Sequence, residues 1–397
     1  MYESFRYVIG LMVIVLINNF VYSSDPEVSM NITQIINYHG YPCENHLVTT
    51  KDGYILSMQR IPYGRKTKIS TTSLPVVLLQ HGLLDSAHTW VNNSPNQSLA
   101  FILADNGYDV WLTNSRGSTY SSRHVTLADT DPKFWEFSWD EMASSDLPAF
   151  VEYALKTNGN ATKLAYIGHS QGTEMAFARF PHDFSLTKKI NSFVALAPVA
   201  FLSHVEAGLK ILARFRAEVE ALLNLLGHGR VLSNNEIFKF LASTLCGEKG
   251  IPKFCAEAIF LLAGHDIKNL NESRLPVYIA HTPAGTSVMN IVHYAQSVDS
   301  GNFQMYDFGM QENIKRYGTP TPPQYSLKPV GVPTAVFSGG NDTLADPTDV
   351  AMLLNILKDD VKITRFVNYY NHMDFVWGEN AYQVIYPDVL SFLKKYT

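Results

Sequence analysis

The sequence predicts an α/β fold in which a mostly parallel sheet, with helices on both faces, is interrupted by a helical insertion. Apolar runs of strand length alternate with helical segments between residues 74 and 200, and the pattern resumes after residue 323. Residues 201–323 carry mainly helical patterns instead. The predicted domains are therefore a core formed by residues 24–200 and 324–397, and a helical insertion of residues 201–323.

Each core element has a recognisable pattern. The predicted strands are LPVVLLQHG, DVWLTNSRG, KLAYIGHS, INSFVALAPVA, VPTAVFSGG and KITRFVNYYNH. The helices predicted between and after them are SLAFILADNGY, FSWDEMASSDLPAFVEYALKT and YQVIYPDVLSFLKKY. Strands that alternate with helices in this way pair in parallel. In the insertion, the segment HVEAGLKILARFRAEVEALLNLLG has one apolar face, typical either of a packing helix or of a mobile cover that meets lipid.

The composition is that of an ordinary globular protein. The chain has 397 residues, of which 46% are apolar and 17% are charged, and its net charge is −5. Because there is no long basic run, a nucleic-acid partner is not expected. The sequence also contains no phosphate-binding loop, no H-E-x-x-H and no C-x-x-C motif, so neither a cofactor nor a metal is expected.

The first 23 residues predict secretion. Arg6 precedes an apolar run from Tyr7 to Ile17, and residues 21–23 fit a signal-peptidase site. The run is shorter than a membrane-spanning helix, which favours a cleaved signal peptide over residues 1–23. An uncleaved membrane anchor is the alternative. The mature chain is expected to be secreted or lysosomal and to contain no transmembrane segment.

Sequons and cysteines agree with a compartment outside the cytosol. Five of the six N-x-S/T triplets predict N-linked glycosylation at part of the set, whereas the sixth, at Asn341, is expected to lie in the active site and to stay unmodified. The asparagines of the five are Asn31, Asn92, Asn96, Asn160 and Asn271. Cys246 and Cys255 are close enough in sequence to form a disulfide worth about 2–3 kcal/mol in the chain-entropy model, which leaves Cys43 as a free thiol. The alternative is that all three cysteines are reduced.

The stretch KLAYIGHSQGTEMAF, residues 163–177, predicts a nucleophile elbow. Its pattern is a short buried strand, a tight turn at Ser170 and the start of a helix. Gly168 and Gly172 would let the strand and the helix approach each other closely. A βα turn whose glycines serve only geometry is the alternative.

The partners of Ser170 are predicted from chain order. In α/β-hydrolases the nucleophile is followed by an acid and then a histidine, each after a strand. His372 is the only histidine beyond His293, and it follows a strand-like run. Asp342 comes directly after the preceding predicted strand, whereas Asp346 has the position of a helix N-cap. We therefore expect His372 to accept the Ser170 proton and Asp342 to orient the imidazole ring.

Two backbone N–H groups are expected to form an oxyanion hole. The residue after the nucleophile, Gln171, would supply one of them. The other is expected from the loop after VVLLQ, where Leu83 follows His81 and Gly82. An apolar residue at position 83 suits a site that receives an acyl chain. His81 itself is interpreted as an ordinary polar group near a loop.

Several stretches together resemble the acid lipase family, to which gastric and lysosomal acid lipases belong. They include LLQHGLLDSAHTWV, YDVWLTNSRGSTYSSRH, YIGHSQGT, SGGNDTLADPTDV and YYNHMDFVWG, and they extend over nearly the whole mature chain. The resemblance implies an α/β-hydrolase fold with a cap and lid, the same triad and oxyanion donors, and a cap disulfide between Cys246 and Cys255. The lid sequence matches the family least, and Cys43 is not expected from it.

The leading functional prediction is a lipase that hydrolyses ester bonds of neutral lipids, triacylglycerols or sterol esters, at an oil–water interface. It would need no cofactor and no obligate protein partner. One alternative is an esterase of small soluble esters, although the large insertion favours an insoluble substrate. Another is a non-catalytic lipid-binding or storage protein on the same fold, which the complete set of nucleophile, base and acid disfavours.

Overall fold

The computed structural model describes residues 25–65, 73–205, 229–231 and 269–397, together with residues 210 and 214. The predicted signal peptide, most of the amphipathic cap segment, and Cys246 and Cys255 lie outside these residues. Cys43 is a free, partly buried thiol, as the sequence predicted.

Within the described ranges, a mixed sheet of nine strands forms the core, and two short strands form a separate ladder. The strands are β1 (Glu44–Thr49), β2 (Tyr54–Ile61), β3 (Val76–Gln80), β4 (Asp109–Thr113), β5 (Arg123–His124), β6 (Leu164–His169), β7 (Ile190–Leu196), β8 (Arg230–Val231), β9 (Thr286–Ser287), β10 (Thr334–Gly339) and β11 (Val361–Val367). In the main sheet the order is β1-β2-β4-β3-β6-β7-β10-β11, with β5 paired to β2. From β4 to β11 in this order every pair is parallel, whereas β1, β2 and β5 pair antiparallel.

Helices connect and cover these strands. The longer helices of the described residues are α1 (Ile32–Tyr38), α2 (Leu99–Asp105), α3 (Leu147–Asn158), α4 (Gln171–Arg179), α5 (Leu275–His281), α6 (Val288–Ser300), α7 (Met310–Tyr317), α8 (Pro347–Leu357) and α9 (Tyr386–Tyr396). Every residue of β3, β4 and β6 is buried, which requires cover on both faces of the sheet. The predicted mostly parallel sheet with helices on both faces is confirmed.

One predicted helix is less regular than its sequence suggested. The segment that starts at Phe137 contains a first turn, Trp139–Glu141, then a π-helical turn, Met142–Asp146, and only then α3. Pro148 lies in the first turn of α3 and has no N–H to donate to the preceding turn. In a regular α-helix the ring of Pro148 would also clash with the carbonyl of Ser144, and Ser144 lies in the π-helical turn.

The chain order of the strands determines where a site can form. Within the sheet, β4 pairs with one edge of β3, and β6, which comes later in the chain, pairs with the other edge. The segments that follow β3 and β6 therefore leave the sheet at a topological switch point, where open α/β sheets bind ligands at the carboxyl ends of their strands. Ser170 follows β6, and Leu83 lies in the loop after β3.

Between β7 and β10, the described residues contribute no strand to the main sheet. They form α5, α6, α7 and the β8–β9 ladder instead. The boundaries of the insertion at residues 201 and 323 remain a prediction. No described helix combines the length and the apolar character needed to cross a membrane.

One of the predicted glycosylation sites is wrong. Asn92 is completely buried, and neither its side-chain nitrogen nor its oxygen reaches solvent. A glycan attached to that nitrogen would have no room. Asn31, Asn96 and Asn160 are exposed and Asn271 is partly exposed, so these four stay predictions.

A buried arginine joins three segments of the core. Arg116 follows β4 and is only 1% exposed. Its Nε and Nη2 donate to Asp146 Oδ1 at 2.8 and 2.6 Å, and its Nη1 donates to Asp52 Oδ2 at 2.7 Å. The guanidinium lies 4.0 Å from the centroid of the Tyr54 ring. Removing one partner of such a group leaves a buried charge without compensation.

We expect Arg116→Met to lower the free energy of unfolding by about 3–5 kcal/mol, because the buried carboxylate of Asp146 loses its counter-charge. Urea denaturation measures the change. The control is Lys315→Ala, which removes a solvent-exposed ion pair with Glu312 and should cost less than about 1 kcal/mol. Equal losses in the two variants would contradict this account.

Candidate active site

Ser170 occupies a strained turn between β6 and α4. Its φ of 53° and ψ of −120° lie outside the regions that non-glycine residues ordinarily adopt. A Cβ on Gly172 would lie 2.4 Å from the carbonyl oxygen of Gln80, and one on Gly168 would lie 2.7 Å from the backbone of Gly172. Both glycines are therefore needed for the close approach of α4 to β3 and β6. The predicted strand, turn and helix are present.

Ser170, His372 and Asp342 form one hydrogen-bonded line. His372 Nε2 lies 2.7 Å from Ser170 Oγ, and His372 Nδ1 lies 3.0 Å from each carboxylate oxygen of Asp342. Because an ionised carboxylate only accepts hydrogen bonds, Nδ1 carries the proton that faces Asp342. The lone pair of Nε2 is then left for the Ser170 hydroxyl proton.

The carboxylate of Asp342 is stabilised in its ionised form. Burial alone would raise the pKa of Asp342, but the His372 ring and two backbone N–H groups outweigh it and hold the pKa below its usual value. These N–H groups belong to Leu344 and Ala345 and donate to Oδ1 at 3.0 and 2.8 Å. Asp346, the alternative acid, instead accepts the N–H of Thr348 as the N-cap of α8.

The segment that carries His372 is held by the histidine next to the nucleophile. His169 Nε2 lies 2.9 Å from the backbone carbonyl oxygen of His372, so Nε2 must be the protonated nitrogen. Burial lowers the pKa of His169 to about 3. His169 therefore stays neutral and keeps this donor over a wide pH range.

Gly82 brings the loop after β3 against the nucleophile. A Cβ on Gly82 would lie 3.0 Å from the Ser170 Cβ. Leu83 follows directly, and neither its backbone N–H nor that of Gln171 donates to another group among the described residues. Leu83 therefore follows a residue that lies against Ser170, Gln171 follows Ser170 itself, and no described group accepts a hydrogen bond from either N–H.

His81 orients the peptide group between Gly82 and Leu83, a role that the sequence analysis missed. The Ser115 N–H donates to His81 Nε2 at 3.0 Å, so the ring proton must be on Nδ1, which lies 2.8 Å from the Gly82 carbonyl oxygen. In a trans peptide the carbonyl and the following N–H point in opposite directions. The bond to Gly82 therefore directs the Leu83 N–H away from His81. The only sequence signal was the position of His81 directly before Gly82.

One group of described side chains has ligand atoms close enough for a metal ion, namely His204, Asp346 and Asp349. Each already has a partner within the protein. His204 Nδ1 lies 2.7 Å from Asp349 Oδ1, and Asp346 caps α8. The group therefore gives no independent indication of a metal, and Ser170 and His372 are not members of it.

Comparisons with known proteins define the class of the fold. Residues 75–379 match the family model of the alpha/beta hydrolase fold, and residues 32–94 match that of a partial alpha/beta-hydrolase lipase region. A solved structure of a monoglyceride lipase from Saccharomyces cerevisiae superposes with a TM-score of 0.52 at 14% identity, covering 93% of this chain and 98% of that one. At this identity the likeness concerns the fold alone.

Curated relatives are much more similar in sequence. Human gastric triacylglycerol lipase is 44% identical over 377 residues, which cover 94% of each chain. Human lipase member K is 44% identical over 376 residues, covering 94% of this chain and 93% of the relative. The chain therefore belongs to the α/β-hydrolase lipase family that contains gastric triacylglycerol lipase. The predicted family is confirmed.

We expect Gly172→Ala to abolish activity and to lower stability, because its Cβ would force α4 away from the Gln80 carbonyl and move the elbow relative to the loop after β3. Ester hydrolysis and thermal denaturation measure both effects. The control is Gly159→Ala at the C-cap of α3, where φ is +81° but no atom lies within 4 Å of the added Cβ. It should cost about 1 kcal/mol and leave activity unchanged. An active Gly172→Ala enzyme would contradict the packing argument.

A buried carboxyl in the loop after β3 predicts a pH dependence of stability. Asp85 lies two residues beyond Leu83 and accepts the Ser86 N–H at 2.8 Å. Burial raises the pKa of Asp85 to about 7 from an ordinary value of 3.8. The folded state therefore retains a proton that the unfolded chain has lost. Its stabilising contribution is complete below about pH 4 and is lost as the pH rises through about 7.

We expect Asp85→Asn to leave the free energy of unfolding unchanged near pH 4 and to raise it above pH 7, by at most about 4 kcal/mol. Urea denaturation from pH 4 to pH 8 gives the two curves. Asp359→Asn, at an exposed carboxyl, is the control and should follow the wild type at every pH. Parallel curves for Asp85→Asn and wild type would show that Asp85 does not titrate in this range.

Proposed function

We propose that the protein is a serine lipase that hydrolyses carboxylic ester bonds of neutral lipids, with triacylglycerols as the leading substrate class and sterol esters as a further one. The observation that carries the proposal is the hydrogen bond of 2.7 Å between Ser170 Oγ and His372 Nε2. Membership of the lipase family supports the substrate class, because a curated relative 44% identical to this chain is named a triacylglycerol lipase.

The chemistry begins with His372, which removes the Ser170 proton as Oγ attacks the ester carbonyl carbon. The tetrahedral oxyanion is stabilised by the N–H groups of Leu83 and Gln171. When the intermediate collapses, His372 gives its proton to the leaving alcohol, and an acyl-serine remains. Water, activated by the same histidine, then releases the fatty acid and restores Ser170. Asp342 keeps the imidazole in its productive tautomer and stabilises the imidazolium.

An apolar cluster that includes the loop after β3 suits an acyl chain. Leu83 packs against buried residues of that loop, β8, α6 and the segment after it, and so contributes to an apolar surface beside the nucleophile. The cluster consists of Leu84, Val231, Val288, Ile291, Val292 and Tyr306, with Met289 and Phe308 packed on it. A fatty acyl group that enters here gains free energy from burial of its methylenes.

The protein is proposed to act outside the cytosol, either secreted or in lysosomes, after removal of residues 1–23. The exposed sequons at Asn31, Asn96 and Asn160 support this compartment. The substrate is met at an oil–water interface, and the lipid itself is the only partner that the mechanism requires. The disulfide between Cys246 and Cys255 is proposed for the same oxidising environment.

We expect Ser170→Ala to reduce fatty-acid release from emulsified long-chain triacylglycerol by at least about 10⁴-fold, because the nucleophile is lost while binding remains. Release is titrated from pH 4 to pH 8 beside hydrolysis of a soluble short-chain ester. The control is Ser192→Ala, at a buried serine of β7 outside the site, which should retain full activity. Labelling by a fluorophosphonate should likewise disappear only with Ser170→Ala.

Three results would count against the proposal in different ways. Ser170-dependent hydrolysis of the soluble ester alone would identify an esterase of small esters. Lipid binding without hydrolysis of either substrate would identify a binding or storage protein. Undiminished hydrolysis by Ser170→Ala would remove Ser170 as the nucleophile.

A further inference from the structure

The Gln171 side chain is buried although its backbone faces the catalytic site. The residue is 2% exposed and occupies the first position of α4, directly after Ser170. Its Nε2 lies 3.2 Å from the sulfur of Met142, and its Oε1 accepts a hydrogen bond of 2.8 Å from Asn290 Nδ2. The elbow fixes the backbone of Gln171, and the hydrogen bond from Asn290 fixes the far end of its side chain. The whole residue therefore has little freedom to rotate.

Asn290 connects this side chain to two other segments. It is completely buried on α6, within the predicted insertion. Its Oδ1 accepts the backbone N–H of Trp139 at 2.8 Å, and its Nδ2 also lies 3.0 Å from Thr286 Oγ1. One amide thus links the insertion, the turn that precedes α3 and the elbow.

The hydrogen bonds determine the orientation of both amides. The Trp139 backbone N–H can only donate, so the Asn290 atom that faces it must be the oxygen. Asn290 therefore presents its NH₂ group to Gln171, and the Gln171 atom that receives it must be Oε1. The Gln171 NH₂ group is consequently directed at the weakly accepting Met142 sulfur. No other assignment satisfies the Trp139 donor and gives Asn290 and Gln171 a donor–acceptor pair.

We propose that Asn290 is a positioning residue for the oxyanion hole and acts through the Gln171 side chain. This inference rests on the proposed serine-lipase function. Because the N–H of Gln171 must be aligned before the charge develops, a loss of alignment weakens stabilisation of the transition state more than binding of the ester. The insertion thereby contributes to catalysis at a residue that does not touch the substrate.

The first experiment compares Asn290→Leu with Gln296→Leu. Gln296 is a buried amide on the same helix whose two hydrogen bonds, at 2.9 and 2.8 Å, go to the backbone of Asp307 and not to the elbow. We expect Asn290→Leu to lower kcat for a soluble short-chain ester by about 10-fold, with KM changed less than about 2-fold. Inhibition by an alkyl boronic acid, whose tetrahedral anion occupies the oxyanion hole, should weaken in parallel. The Gln296→Leu variant should keep its kcat.

A double-mutant cycle shows whether the effect passes through Gln171. In a Gln171→Leu background, which keeps the backbone N–H but removes the amide, Asn290→Leu should lower kcat no further, whereas independent effects would multiply. Thermal denaturation identifies a loss of activity that comes from unfolding. In that case Gln171→Met, which is close in size to glutamine, removes the acceptor for Asn290 Nδ2 and leaves the bond between Asn290 and Trp139 in place, replaces Asn290→Leu, and the same loss of about 10-fold in kcat is expected.

The outcomes separate the two proposals. An unchanged kcat, a loss equal to that of Gln296→Leu, or a full additional loss in the Gln171→Leu background would overturn the role of Asn290 while the wild type still hydrolyses esters through Ser170. If the wild type neither hydrolyses esters nor reacts with a fluorophosphonate at Ser170, the proposed function itself fails.

Discussion

The close contact between β6, α4 and β3 is the constraint on which the site depends. Gly168 and Gly172 allow the helix to start within van der Waals distance of two strands, and Ser170 adopts a strained backbone conformation as a result. The energy of that strain is offset by the buried packing of the sheet. A serine in a relaxed turn would not be presented in this way to a histidine that follows β11, on the far side of β7 and β10.

Around this elbow, buried polar side chains hold the three segments that carry Leu83, Gln171 and His372. His169 holds the carbonyl of His372, His81 orients the peptide before Leu83, and Asn290 holds the Gln171 side chain. Each of these bonds is shielded from water. In the protein interior a satisfied hydrogen bond is strong, and a broken one is costly. In the proposed mechanism the arrangement is therefore organised before substrate arrives, and little reorganisation is needed when the oxyanion forms.

The same exclusion of water shifts the pKa values of the buried carboxyl groups near the site. Asp342 remains ionised because the His372 ring and two N–H groups compensate for its burial, whereas burial dominates at Asp85 and favours the neutral acid. Two carboxyl groups near one site thus have opposite protonation preferences. Their difference follows from the His372 ring, which favours the ionised form of Asp342 and has no counterpart at Asp85, and not from the depth of burial, because both carboxyl groups are buried.

The sequence by itself determined the strand and helix order, the elbow, and the chain order of Ser170, Asp342 and His372. Those features are expressed locally, as hydrophobic periodicity, paired glycines and residues that follow strand ends. It could not determine the π-helical turn before α3, the burial of Asn92, or the supporting roles of His81 and Asn290. Hydrogen bonds from Asn290 to Trp139 and Gln171 span 151 and 119 residues along the chain. Only tertiary structure decides such contacts, because a buried polar group is positioned by partners that the local sequence does not contain.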